Sequence, residues 1–104
     1  MSLNSYETIY ILKPDITETQ NLSIVNYYKA MIKKQGGHNI SVQHRGKRHL
    51  SYSIQDFYDG IYIQMNYSGN GHLVQQLDKS MKFNDDIIRH LTVKQEIVDT
   101  INIY

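Results

Sequence analysis

The residues of this chain best suited to chemistry are cations. In "HRGKRHLSYSI", residues 44–54, Arg45, Lys47 and Arg48 stand between His44 and His49. Guanidinium and ammonium groups gathered this closely can pair phosphates. Arg89, His90 and Lys94, far along the chain, are secondary candidates for the same chemistry. The knot lies in a one-sided stretch: no Asp or Glu occurs between Glu18 and Asp56, while Lys29, Lys33, Lys34 and the three cations of the knot all do. A formal net charge of +1 conceals this polarity, and it is polarity that makes a local field. A bare charge run is more often a solvated face. Three readings are therefore open: a solvated hairpin turn, a phosphate-binding patch, or a docking edge for another protein.

Catalytic chemistry finds no support. With no cysteine, the chain has neither a thiol nucleophile nor a Cys-based zinc site. His38, His44, His49, His72 and His90 form no recognised metal spacing. Asp85 and Asp86 are adjacent, but a turn of solvated carboxylates is the simpler reading than an acid/base pair. There is no nucleophile elbow, Walker loop or His-Glu-x-x-His. The glycine-rich arginine loop that acylphosphatase carries after its first strand is replaced by "KPDIT". We expect no enzyme, no metal or cofactor and no small-molecule substrate. An RNA-recognition motif would carry a basic-Gly-aromatic signature on its third strand, which "IYIQMNY" does not match. Tyr62 or Tyr67 could stack on a base in principle, although strand tyrosines are more often packing residues.

The elements that must position these groups follow from periodicity. With 104 residues the chain is one domain with one modest core. "YETIYIL", 6–12, reads as a strand that Pro14 ends. Thr17 with Gln20 has capping-box spacing, and Ile24, Val25, Tyr28, Met31 and Ile32 form a helical stripe. Lys33, Lys34 and "GG" at 36–37 close that helix. Residues 38–44 alternate, with Ile40 and Val42 on one face, and "SYSI" resumes the alternation. "QDFYDG" breaks it. A third strand spans 61–67 with Ile61, Ile63, Met65 and Tyr67 on one side. Asn70 precedes a second stripe of Leu73, Val74, Leu77 and Met81, and residues 87–94 make the fourth strand. The order β-α-β-β-α-β predicts an α+β, ferredoxin-like split βαβ sandwich: a four-stranded antiparallel sheet with two helices on one face. Residues 1–95 are expected to form this domain, followed by a C-terminal tail, 96–104, that is apolar but has no clear period.

Helices on one face leave the other open, and a lone protein should keep that face polar. Here Tyr6, Tyr10 and Leu12 oppose Ile9 and Ile11, and Ile87, Leu91 and Val93 oppose Ile88. Apolar groups on both faces predict that something covers the open one.

The segment "GKRHLSYSI", 46–54, resembles the signature of the bacterial and plastid family of small-subunit ribosomal protein six. Gly46, Arg48, His49, Leu50, Ser51, Tyr52 and Ile54 match it in order. Gln55 departs from the basic or small polar residue usual there, and Ser53 stands where many members have proline. "YETIYILKPD" is similar to the family's opening strand and "LTVK", 91–94, to its last. The resemblance implies the same split βαβ fold and a structural role in the small ribosomal subunit, binding its 16S-type ribosomal RNA together with small-subunit ribosomal protein eighteen. It implies that this partner docks on the sheet side and that the tail, with Ile97, Val98, Ile101, Ile103 and Tyr104, helps hold it. Arg45, Lys47 and Arg48 would then serve the RNA or partner surface, with Arg89 and Lys94 beside them, and Leu50, Tyr52 and Ile54 would anchor the segment. The alternative is a ferredoxin-like protein-interaction or small-ligand module that dimerises through its open sheet face.

Location is read from composition. The bias to Ile, Asn, Lys and Tyr, with a single Ala, is what AT-rich codons supply. "MSLNSYETIY" lacks the basic and apolar regions of a signal peptide and resembles no transit peptide. No apolar run approaches the ~18 residues of a membrane helix. The expectation is a ribosome of the plastid (chloroplast) stroma, with the bacterial cytoplasm as the alternative.

Overall fold

The computed structural model describes residues 4–95. The elements are β1 (Asn4–Leu12), α1 (Glu18–Lys34), β2 (His38–Ile54), β3 (Phe57–Gly69), α2 (Gly71–Lys82) and β4 (Ile87–Gln95). The four strands form one sheet in the order β2-β3-β1-β4, and every neighbouring pair is antiparallel. This is the expected split βαβ topology, with β1 and β3 central and β2 and β4 at the edges.

Local signals explain the helices. The Thr17 side chain accepts from the Gln20 backbone N–H at 3.1 Å, and Gln20 accepts from the Thr17 N–H at 2.9 Å. That reciprocal box starts α1. The Asn70 side chain caps α2 by accepting from the Leu73 N–H at 2.9 Å. Val25, Tyr28 and Ile32 from α1 and Leu73, Leu77 and Met81 from α2 are buried. They meet Tyr6, Tyr10, Leu12, Ile63, Met65 and Tyr67 of the sheet in the main core. Burial of each such side chain stabilises by roughly 1.5–3 kcal/mol.

The structure lengthens the central hairpin. β2 runs unbroken through the cationic knot, so residues 44–49 are strand and not turn. β3 begins at Phe57, so most of the "QDFYDG" segment pairs in the sheet instead of interrupting it. The connection is a two-residue turn at Gln55 and Asp56, closed by the Ile54–Phe57 pair. Both turn residues have positive φ, 50° and 67°, as the hairpin turn that matches strand twist requires. Gln and Asp lack the Asn-Gly signature of such turns, which is why the sequence hides it.

One irregularity decides where the cations go. His44 lies opposite Ile63, yet Gly46 lies opposite Tyr62. One extra residue is inserted in β2 at Arg45–Gly46, and Gly46 has φ +83°. A bulge of this kind reverses the alternation of side chains. Before it, Ile40 and Val42 pack into the main core under the helices. After it, Leu50 packs on the opposite face with Ile11 and Ile88, joined by Ile54, Phe57 and Tyr62. The hairpin arm beyond β1 thus curls onto the open face and builds a second small core there. Gly60 permits the approach, since a Cβ at that position would collide with Ile11.

Candidate nucleic-acid interface

The register lays the open face out in rows. Gly46, Tyr62, Ile11 and Arg89 stand side by side across the four strands. The next row is Gln43, Gln64, Ile9 and Leu91, and the one after it is Ser41, Asn66, Glu7 and Val93. On the other side of the first row, Arg48 pairs with Gly60. Directly paired residues share a face, so Arg48 and Arg89 both belong to the open side. Arg45 joins them: its Nε and Nη2 donate to Gln64 Oε1 at 3.2 and 2.8 Å. Without the bulge, residues 45 and 48 would lie on opposite faces.

Two of the arginines rest on tyrosines. The Arg48 guanidinium lies 5.8 Å from the Tyr62 ring centroid. That of Arg89 lies 5.9 Å from the Tyr52 ring, and its Nη1 donates to the Tyr52 hydroxyl at 2.6 Å. Such contacts hold a guanidinium in place while its remaining N–H groups stay free for an acceptor. None of the three arginines is ion-paired among the described residues. All three are exposed. Glu7 is the one acid among the described residues whose register places it on this face, two rows from Arg89, where Gln95 donates to it at 3.4 Å.

The five expected cations therefore divide. Arg45, Arg48 and Arg89 gather on the open face. Lys47, opposite Ile61, and Lys94, opposite Tyr6, fall on the helix-bearing side. Tyr52 is 60% exposed, so it does not anchor the segment by burial as Leu50 does; it holds the arm through Arg89. Its pairing with Arg89 across 37 residues has no local sequence signal. Tyr62 was visible only as a strand aromatic. The histidines find other uses: His90 pairs with Asp78 of α2 at 2.8 Å and His49 with Asp59 at 3.1 Å. The tail residues Ile97, Val98, Ile101, Ile103 and Tyr104 lie outside the described residues.

At the far end of the face the character changes. Leu91 and Val93 on the β4 edge are 61% and 48% exposed, beside partly buried Ile9. Large exposed apolar groups in one strip mark a contact surface more often than chance.

Fold and face together define a small split βαβ protein that presents a charged, aromatic sheet surface. The chain belongs to the ribosomal protein S6 family, whose model matches residues 5–94. It is a structural protein of the small ribosomal subunit and not an enzyme. Over 94 residues it is 56% identical to the plastid-type small ribosomal subunit protein bS6c of the red alga Gracilaria tenuistipitata var. liui, covering 90% of this chain and 91% of that one. The small ribosomal subunit protein bS6 of Cyanothece sp. is 44% identical over 95 residues, 91% of this chain and 90% of its own. Among solved structures, the crystal structure of 30S ribosomal protein S6 from Thermotoga maritima superposes with a TM-score of 0.85 at 26% identity, covering 90% of this chain and 89% of that one.

Proposed function

We propose that this protein binds small-subunit ribosomal RNA jointly with small-subunit ribosomal protein eighteen, the two taking opposite ends of the open sheet face. The observation that carries the reading is the segregation on that face. Arg48 and Arg89 lie toward the hairpin arm and Arg45 on the β2 edge beside Gln64, while Ile9, Leu91, Val93 and Glu7 lie across β1 and β4. The unpaired arginines suit phosphate. The apolar strip beside one carboxylate suits a basic protein. In this reading the apolar tail, with Ile97, Val98, Ile101, Ile103 and Tyr104, extends the protein contact. Lys47 and Lys94 add to the field from the other side of the sheet. The plastid stroma is the proposed location, supported by the algal relatives, with the bacterial cytoplasm as the alternative.

The test is assembly on the RNA with protein eighteen present, at several salt concentrations. Each phosphate neutralised should contribute about −0.7 to −0.9 to the slope of log K against log salt. Changing Arg45, Arg48 and Arg89 together to Ala should weaken binding and flatten the slope by about 2 to 3. Unchanged assembly and slope in that variant would show that phosphate is bound elsewhere.

A further inference from the structure

The arm that curls onto the open face leaves a depression beside Arg89. Its floor is Ile11 and Leu50, both buried, and its walls are Tyr52, Ile54, Tyr62 and Arg89. We propose that this depression binds one unstacked nucleotide of single-stranded RNA, with the base against the tyrosine-lined wall and the backbone phosphate on the Arg89 guanidinium. The inference rests on the phosphate reading above and adds a base contact to it.

Three observations favour a nucleotide. The lining mixes apolar and polar surface, as a base with its flat faces and hydrogen-bonding edges requires. Tyr52 is held by its hydroxyl while most of the residue stays exposed. Its partner Arg89 spends one N–H on that bond and keeps four for a phosphate. The charge is also one-sided: Arg48 and Arg89 flank the depression, and no acid among the described residues lines it. A cationic rim selects a polyanion over a basic protein. Duplex RNA cannot offer a base face to such a site, whereas a loop or bulge nucleotide can. Stacking and phosphate contacts carry no sequence code, so no strong preference among bases is expected.

The experiment uses the full chain, labelled hexauridylate and a six-unit ribose-phosphate oligomer lacking bases, in fluorescence anisotropy at low salt. Hexauridylate should bind at least about fivefold tighter, the lower range of one stacked base. Tyr52→Leu, with its urea midpoint confirmed unchanged, should erase that preference while the baseless oligomer binds nearly as before. Tyr52→Phe should retain most of it. If the two oligomers bind wild type alike, the base contact is wrong and the phosphate reading stands. If neither binds, the inference falls, and the joint assembly with protein eighteen decides the phosphate reading separately. A preference that survives Tyr52→Leu places the base elsewhere. If protein eighteen displaces hexauridylate, and Tyr52→Leu weakens protein eighteen instead, the depression belongs to the protein partner and the inference is overturned.

Discussion

At the scale of single residues, the buried hydroxyls of the core differ in how they are satisfied. The Thr8 hydroxyl lies 2.8 Å from the Tyr67 hydroxyl and 2.7 Å from that of Thr92. The Tyr10 hydroxyl is buried with no hydrogen-bond partner among the described residues. A buried donor left unmade costs about as much as its lost hydration. Tyr10→Phe should therefore leave stability unchanged or raise it by up to about 1 kcal/mol, and Thr8→Val should cost about 1–3 kcal/mol, both read from urea unfolding. Burial raises the pKa of Tyr10, with a smaller contribution from Tyr28, and burial also raises that of Tyr67 against the lowering effect of its Thr8 and Thr92 bonds. A folded-state pKa above the unfolded value of about 10 means the native state holds its proton longer. Stability from these groups is complete below about pH 10 and is lost as pH rises past it. Unfolding free energies measured from pH 8 to 11.5 should show this fall, and Tyr10→Phe should make it shallower.

At the scale of elements, the β2–β3 hairpin has two backbone irregularities, and the first decides which face its cations occupy. Gly46 sits at φ +83° with open space where a Cβ would go. The signature glycine is thus required by backbone conformation and not by crowding. Gly46→Ala should destabilise by about 1–2 kcal/mol, and any relaxation of the bulge would carry Arg48 and Leu50 to the wrong face. Loss of RNA binding beyond that of an equally destabilised core variant is the expected signature. The turn holds Gln55 and Asp56 in the same left-handed region. Replacing them with Asn and Gly should stabilise by about 1 kcal/mol in thermal or urea melts, without altering binding. The capping residues and helical stripes were legible in the sequence because each involves neighbours three or four positions apart. The bulge and the turn were not, since alternation resumed on both sides of Gly46 and Gln55–Asp56 lacks the usual Asn-Gly pair.

At the scale of the whole molecule, the open face is a divided surface. Leu91→Glu places a charge on the exposed apolar strip, far from the core, so folding should persist within about 0.5 kcal/mol. Affinity for protein eighteen should fall by about tenfold or more, as measured by isothermal titration. The RNA salt slope of the protein alone should stay as it was. Sedimentation of the same variant separates the remaining reading: a wild-type homodimer that Leu91→Glu dissociates, with no affinity for protein eighteen, would make the strip a self-association surface.

The amino-acid order by itself determined the element sequence, the split βαβ class, the two helix faces and the family signature, because each is written in local periodicity or in a contiguous motif. It also marked Arg45, Arg48 and Arg89 as candidates without saying that they belong together. Only the tertiary structure decided that. One inserted residue at Arg45–Gly46 reverses the alternation, strand pairing carries Arg89 into the same row as Tyr62, and the curled arm brings Tyr52 onto it. Lys47 and Lys94, equally basic in the sequence, are turned to the other side by the same pairing. A face of a sheet is a property of register, and register is set between strands distant in the chain.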